Sequence, residues 1–447
     1  MTDPKKNIEV NTNRDTFNSK LGFILACVGS AVGMGNIWLF PYRVGQFGGA
    51  AFLIPYIICV VIIGFSGVVG EMSFGRAMGT GPLGSFRKAV AMRGKKYGDV
   101  IGLIPVLGSL AVAIGYSVVV GWILRFLVGS ITNSMLSAEN SGAYFGEIAS
   151  SFGSIPWHLL GLALTFGIMI LGVAKGIEKV NKFMMPAFFI LFIILAIRVV
   201  TLDGALEGYK YLFMPKWEYL WNPKTWVYAL GQAFFSLSLA GSGTIVYGSY
   251  LKKSEDVINA AKSVAFFDTC AGMLAALVVI PAVFIFGLDP ASGPPLMFIT
   301  MPEVFKQMPM GQLFAIIFFL AVLFAGVTSL MNLFETPIEA LQEKFKLSRG
   351  TSVAIIAAVA VCVGVMIENG GTVGTWMDIV SIYVIPLGAL LAGIMFFWVC
   401  GSKFAREQAQ TGREKEIGRW FEPMTKYVFC GLTILVYILG IFYGGIG

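Results

Sequence analysis

The stretch Gly29-Ser30-Ala31-Val32-Gly33-Met34-Gly35-Asn36, followed by Ile37-Trp38-Leu39-Phe40-Pro41, lies in the middle of the first apolar segment. Each glycine costs a helix interior about 1 kcal/mol relative to alanine. Gly29 and Gly33 alone would fit a close helix–helix contact through small residues. The pair Gly35-Asn36 does not, because it places an amide at mid-membrane depth. We therefore expect an unwound segment whose freed carbonyls bind a cation.

A second break of the same kind is predicted in Phe234-Phe235-Ser236-Leu237-Ser238-Leu239-Ala240-Gly241-Ser242-Gly243-Thr244. Small and polar residues again fall in the middle of an apolar segment, although flexible packing remains an alternative explanation. Each broken segment is the first in a series of five apolar segments. This arrangement indicates two repeats of inverted topology, with the binding site where the two breaks meet.

Composition places the whole chain in a membrane. Of 447 residues, 57% are hydrophobic and 13% are charged, and the mean hydropathy is +0.79. A soluble domain carries about a quarter charged residues, so we predict an all-α bundle in lipid. The eleven apolar segments that could each span it fall at about 18–44, 51–78, 100–131, 156–174, 180–202, 224–250, 256–288, 311–341, 351–367, 374–400 and 425–446.

The segments define the expected organisation of the chain. Residues 1–17 form a cytoplasmic N-terminal segment, and 18–400 form a ten-helix core. Within this core, repeat one covers about 18–202 and repeat two about 224–400. A cytoplasmic loop at 401–424 and an eleventh helix at 425–447 complete the chain. Short surface helices are expected within about 132–155 and 203–223, and a lid-like loop at 289–310.

The net charge of +7 is a topology signal, because most Lys and Arg residues fall in alternate connections. We therefore expect a cytoplasmic N-terminus and no nucleic-acid partner. The single histidine, His158, at the edge of a segment, argues against a histidine-based metal site.

Two other classes of protein are disfavoured by the sequence. An enzyme is disfavoured because neither a hydrolytic triad nor a nucleotide-binding loop occurs. A channel is disfavoured because the breaks form no continuous polar stripe.

Further polar residues fall at similar depth. Asp268 is ionisable and would cost at least about 2.5 kcal/mol at mid-bilayer without a partner, so a cation or proton is expected beside it. Thr328 and Ser329 are weaker indicators, because membrane hydroxyls usually bond to their own helix. Glu71 lies nearer the inner face, where we expect its carboxylate to bond to backbone groups.

These residues together resemble the neurotransmitter:sodium symporter family, whose LeuT structure is itself one source of the inverted-repeat rule. The shared motifs are GNIWLFPY at 35–42, GGAAFLIPY at 48–56, GEMSFGR at 70–76, the SLSLAGSG break and AGVTS at 325–329. The resemblance covers nearly the whole chain. The eleven-helix form resembles the bacterial tyrosine and tryptophan carriers of that family. It implies symport of a hydrophobic or aromatic L-amino acid, with tyrosine favoured, in a bacterial inner membrane and with no obligatory protein partner.

The resemblance also implies two sodium sites. The first would use Ala31, Asn36, Ser236, Asp268 and the substrate carboxylate. The second would use Gly29, Val32, Ala325, Thr328 and Ser329. Both are oxygen-only sites, as a hard cation requires. The implied substrate site consists of Ala31, Gly33, Val112, Tyr116, Phe235, Ser236, Ser238, Gly241, Ser329 and Leu333.

Three departures from the family pattern refine these expectations. Asp268 stands where an asparagine is common, and near it animal members hold chloride with residues matching Tyr56, Gln232 and Ser236. We therefore predict chloride independence. Gly241 leaves room for an aromatic ring. Leu39 replaces the arginine of the outer gate, so Arg43 is the candidate partner of Asp378.

At the inner face, the resemblance pairs Arg14 with Glu343 and places Phe17 beside them. Two other functions remain possible from the sequence. One is an amino-acid sensor that does not transport, although intact sodium ligands argue against it. The other is a carrier of a small amino acid or osmolyte.

Overall fold

The computed structural model describes residues 16–239, 242–287 and 296–445, and all regular structure in these ranges is helical. We number the helices in chain order. The first ten are α1 Lys20–Ala31, α2 Gly35–Gln46, α3 Ala50–Met78, α4 Pro82–Ala91, α5 Gly98–Ile131, α6 Ser141–Ile148, α7 Ile155–Met169, α8 Val173–Val200, α9 Ala205–Phe213 and α10 Trp217–Leu220. The remainder are α11 Pro223–Ser236, α12 Gly243–Ser249, α13 Val257–Ile285, α14 Met301–Gln307, α15 Gly311–Phe345, α16 Arg349–Met366, α17 Gly370–Val399, α18 Ser402–Gln410 and α19 Phe421–Tyr443.

Eight of the described helices are individually long and apolar enough to cross a bilayer: α3, α5, α8, α13, α15, α16, α17 and α19. Helices α1 and α2 meet at a bend of 55° and together form a ninth candidate. Helix α7 is a shorter apolar helix, and α11 and α12 flank the undescribed residues 240–241. The predicted fold class is confirmed, whereas the count of eleven spans stays a prediction.

The first predicted break is present between α1 and α2. Val32 leaves the helical conformation with φ −71° and ψ 108°. The chain then resumes as a wide helical turn over Gly35–Leu39 before it continues to Gln46. The Asn36 side chain accepts a hydrogen bond from the Gly33 amide at 3.1 Å, so it supplies a partner that the broken helix no longer offers.

The second predicted break is also present. Helix α11 ends at Ser236, and α12 begins at Gly243. Ser238 and Ser242 adopt φ values of 56° and 51°, a left-handed conformation that is uncommon for residues other than glycine. Strained backbone of this kind concentrates at functional sites.

Short helices follow the predicted surface segments. Helix α6 lies within 132–155, and α9 and α10 lie within 203–223. The predicted lid at 289–310 is described only from Leu296 onward, where a turn over Leu296–Thr300 leads into α14. Phe298 of this turn stacks on Phe145 of α6 with ring centroids 4.9 Å apart, so the segment packs against the bundle.

One sequence expectation outside the site was wrong. Glu71 accepts a hydrogen bond from the Thr244 hydroxyl of α12 rather than from backbone groups. His158 lies in the first turn of α7, at the edge of the predicted segment, and is buried with its Nε2 2.9 Å from the Ser117 hydroxyl. In both cases the partner comes from a different helix, so the local sequence contains no sign of it.

Candidate binding site at the two helix breaks

A small cavity of about 40 Å³ lies where the two breaks meet. Helices α1, α5, α11 and α15 converge on it together with the two breaks. The cavity is lined by Ser30, Ala31, Gly33, Gly35, Val112, Tyr116, Phe235, Ser236, Ser238, Ser329, Asn332 and Leu333. These include every predicted substrate residue except Gly241, which lies outside the described residues.

An acidic cluster joins the two broken helices to α13. Asp268 is fully buried, and its Oδ1 accepts a hydrogen bond from Asn36 Nδ2 at 2.7 Å. The Ser236 hydroxyl donates to the same carboxylate, 2.9 Å from Oδ1 and 2.7 Å from Oδ2. Asn36 also lies 3.1 Å from the Ser236 hydroxyl. A buried carboxylate therefore connects both breaks through two neutral side chains, and no cationic side chain takes part in these bonds.

The next residues to consider are Tyr56, Gln232 and Ser236, which match the residues that hold chloride in animal members of the family. The buried hydroxyl of Tyr56 faces Asp268 and Ser236. Gln232 is fully buried and donates to the Gly35 carbonyl at 3.0 Å, so it holds the start of α2. Two of the side chains that the resemblance associates with an anion, Tyr56 and Ser236, thus lie against a fixed carboxylate.

Hydroxyl groups fix the backbone around the cavity. The Tyr116 hydroxyl accepts a hydrogen bond from the Met34 amide at 2.8 Å. Ser238 donates to the Ser30 carbonyl at 2.7 Å, and Ser329 approaches the same oxygen at 3.4 Å. The unwound part of the chain between α1 and α2 is therefore held by α5, α15 and the second break.

The predicted second sodium residues lie on facing surfaces of α1 and α15. The Thr328 hydroxyl donates to the carbonyls of Phe324 and Ala325, at 2.9 and 3.1 Å, which leaves its oxygen lone pairs available. A Cβ at Gly29 would lie 3.0 Å from Thr328 Cβ, so the two helices are in close contact here. Val32 ends α1 in this region and is buried. Carbonyl and hydroxyl oxygens of this kind suit a hard monovalent cation.

A second, larger cavity lies directly beside the first. It has a volume of about 550 Å³ and shares Gly35, Tyr116 and Phe235 with the small one. We call it the vestibule. Its walls include Trp38, Leu39, Tyr42, Arg43, Phe298 and Asp378. The Phe235 ring and the Tyr116 ring therefore separate the site from the vestibule.

The proposed pairing of Arg43 with Asp378 is not formed among the described residues. Arg43 donates to the Gln46 side chain at 2.9 Å, and its guanidinium carbon lies 4.2 Å from the ring centroid of Tyr228. Both residues line the vestibule. The predicted gate pair is thus present in one cavity but separated in this conformation.

The opposite end of the bundle is closed. Phe17 is buried, with its ring centroid 5.7 Å from that of Tyr247 and 6.2 Å from that of Tyr250. We call this the basic end, because Arg87 and Lys88 of α4 and Lys403 and Arg406 of α18 lie there. Glu343 pairs with Arg87 of α4 at 2.5 Å, whereas its predicted partner Arg14 lies outside the described residues. Among the described residues, a vestibule therefore lies on one side of the site, and the bundle is closely packed at the basic end.

Three lining residues were not predicted: Ser30, Gly35 and Asn332. Asn332 lies one helical turn after Thr328 on α15, and a Cβ at Gly243 would fall 1.9 Å from its Oδ1. That spacing was the available indication, because residues four apart share a helix face. Ser30 contributes through its carbonyl, which sequence reasoning does not distinguish from its neighbours.

The chain belongs to the sodium:neurotransmitter symporter family. The profile described as "Sodium:neurotransmitter symporter family" matches residues 14–147 and 145–443. These are sodium-dependent transporters, so the prediction that the chain is not an enzyme is confirmed.

Individual relatives agree with this assignment. The sodium-dependent transporter YhdH of Bacillus subtilis is 38% identical over 84% of this chain and 86% of its own length. A sodium-dependent transporter of Haemophilus influenzae is 30% identical over 97% of this chain and 99% of its own. The crystal structure of MhsT in complex with L-phenylalanine is 33% identical, covers 96% of this chain and all of that one, and has a TM-score of 0.85. This protein is therefore a multi-pass, sodium-dependent transporter with the LeuT fold.

Proposed function

We propose that this protein carries a hydrophobic or aromatic L-amino acid, with tyrosine favoured, together with sodium and without chloride, by alternating access. The observation that supports this most strongly is the buried cluster of Asn36, Ser236 and Asp268 between the two helix breaks. A carboxylate with only neutral partners at this depth favours binding of a cation.

The first sodium would be held by Asn36, Ser236, Asp268 and the Ala31 carbonyl, and by the substrate carboxylate. A ligand shared by ion and substrate couples their affinities, because each then binds better when the other is present. The second sodium would be held by Gly29, Val32, Ala325, Thr328 and Ser329. Since these residues come from α1 and α15, this ion would favour conformations in which the two helices are in contact.

The substrate carboxylate would bind at the unwound backbone beside Tyr116, and the ammonium group at carbonyls near Ala31, Phe235 and Ser238. The present cavity of about 40 Å³ is far below the roughly 300 Å³ at which ligand pockets begin. An aromatic side chain therefore requires the Phe235 ring to move towards the vestibule. The glycine at 241 and the phenylalanine bound in the MhsT structure support an aromatic substrate.

Chloride independence follows from the charge of Asp268. This carboxylate lies beside Tyr56 and Ser236, in the region where a chloride ion would otherwise supply a negative charge. A permanent charge makes the mobile one unnecessary, and a second anion in contact with it would be strongly repelled.

The excess of Lys and Arg in alternate connections supports an N-terminus in the cytoplasm, and the bacterial relatives support a bacterial inner membrane. The basic end would then be cytoplasmic and the vestibule would face outward. The core at 18–400, the loop at 401–424 and the final helix at 425–447 belong to the same proposal. The protein would work without an obligatory protein partner.

Uptake of radiolabelled tyrosine into proteoliposomes tests this proposal. We expect accumulation with an inward sodium gradient, little with an inward potassium gradient, and the same rate in chloride or gluconate. Sodium-dependent binding without accumulation would instead identify a sensor. Stronger competition by glycine or betaine than by phenylalanine would identify a carrier of small amino acids or osmolytes.

A further inference from the structure

A buried amide on α8 faces the region assigned to the second sodium. The Asn181 side chain is fully buried, and its Nδ2 donates to the Ile177 carbonyl at 2.8 Å. Because this acceptor identifies the nitrogen, the other terminal atom is the oxygen. Asn181 Oδ1 has no hydrogen-bond partner among the described residues. Leaving a buried acceptor unsatisfied costs about 1–3 kcal/mol.

Asn181 Oδ1 lies close to residues assigned to the second sodium site. A Cβ at Gly29 would lie 2.0 Å from Asn181 Oδ1 and 3.0 Å from Thr328 Cβ. The oxygen and the Thr328 side chain therefore approach the same point on α1. Gly29 and Thr328 are both assigned to the second sodium, whereas no residue of α8 is.

We propose that Asn181 Oδ1 is an additional ligand of the second sodium ion. This inference rests on the proposed second sodium site and extends it from two helices to three. An amide oxygen is a suitable ligand for a hard cation, and the bound ion would satisfy the acceptor that is otherwise without a partner.

The packing of α1 on α8 would couple sodium binding by Asn181 to the opening of the basic end. Gly22 and Gly29 are seven residues apart on α1, which places them on the same helix face. A Cβ at Gly22 would lie 2.1 Å from Glu178 Oε1, just as one at Gly29 would meet Asn181. Movement of α1 away from α8 would therefore withdraw Gly29 from Asn181. Opening of the basic end would in this way weaken sodium binding.

Two variants separate a ligand role from a structural one. Asn181→Leu removes the oxygen at similar volume, and Asn181→Asp keeps an oxygen. Both variants lose the bond from Nδ2 to Ile177. Thr165→Val on α7 is the matched control, because its buried hydroxyl only bonds to the Gly161 carbonyl at 2.9 Å.

The experiment measures binding of radiolabelled L-phenylalanine to the purified full-length protein as sodium is varied. We expect Asn181→Leu to raise the half-saturating sodium concentration at least fivefold, with phenylalanine affinity at saturating sodium unchanged. Asn181→Asp and Thr165→Val should stay within about twofold of the wild type. If the Leu variant does not fold, Asn181→Ala should give the same increase.

An unchanged sodium dependence in the Leu or Ala variant would overturn the inference. Equal losses in the Leu and Asp variants would also do so, because they would report the missing Nδ2 bond. Sodium-independent binding by the wild-type protein is a different outcome, since it contradicts the proposed function itself.

Discussion

Asn36 Nδ2 lies 2.7 Å from Asp268 Oδ1, so the side chain after the first helix break bonds directly to the buried carboxylate of α13. Ser236, at the second break, bonds to the same carboxylate. One acidic group thus holds the two interrupted helices in register. Any ion bound to it acts on both breaks at once.

Replacing Asp268 by Asn tests the role of this charge. The variant keeps the size and an oxygen ligand but removes the fixed negative charge. We expect sodium-driven uptake in chloride-free buffer to fall at least tenfold and to recover in part when chloride is added. Uptake assays in chloride and in gluconate measure this effect. Full activity without chloride would contradict the role given to Asp268.

Replacing Tyr116 by Phe tests whether its hydroxyl holds the unwound backbone in the conformation that binds substrate. The change removes the acceptor of the Met34 amide, which lies 2.8 Å away. An unsatisfied buried donor costs about 1–3 kcal/mol, and the substrate carboxylate loses a partner as well. We expect amino-acid affinity to fall about tenfold in equilibrium binding.

Tyr209→Phe is the control for this variant. Its hydroxyl also bonds to the backbone, by donating to the Leu277 carbonyl at 3.2 Å, but it lies outside the cavity. Affinity should be unchanged there. Equal losses in both variants would show a general effect on folding rather than a role of Tyr116 at the site.

Replacing Glu178 by Gln tests how the basic end is held closed. The buried carboxylate accepts from the Asn18 amide at 2.7 Å, from the Ser19 hydroxyl at 2.8 Å and from Lys182 at 2.7 Å. Charged hydrogen bonds contribute about 1.5–3 kcal/mol each, so their weakening favours separation of α1 from α8. We expect alkylation of the buried Cys27 on α1, followed by mass spectrometry, to become several times faster.

Glu207→Gln is the matched control for this measurement, because Glu207 forms an exposed ion pair with Lys210 at 2.9 Å. Exposed pairs contribute little to stability, so labelling of Cys27 should not change. A rate of Cys27 labelling in Glu178→Gln equal to that of the wild type would show that this carboxylate does not control opening.

The most informative residues in the sequence were those that are unfavourable in an apolar membrane helix. Glycine and asparagine are unfavourable in an apolar helix, so both breaks could be predicted at Gly33–Asn36 and at Ser236–Ser242. Asp268 was identifiable for the same reason, because an ionisable group in lipid needs a partner. The cavity lining followed from these residues through the family resemblance.

Contacts between distant helices could not be predicted. Asn181 is an ordinary polar residue of a helix in the sequence, and only its packing against Gly29 shows where its oxygen points. Arg43 binds Gln46 and Tyr228 instead of Asp378, although Arg43 and Asp378 line the same vestibule. His158 is buried because α7 packs tightly on Gly121 of α5. Such partners depend on the tertiary arrangement.

The most direct test of the account is simultaneous measurement of ²²Na⁺ and [³H]tyrosine entry into the same proteoliposomes. Coupled transport predicts that tyrosine stimulates sodium entry, that sodium stimulates tyrosine entry, and that both effects disappear together in Asp268→Ala. Tyrosine entry without any tyrosine-stimulated entry of sodium would contradict the central claim that ion and substrate share the site at the two helix breaks.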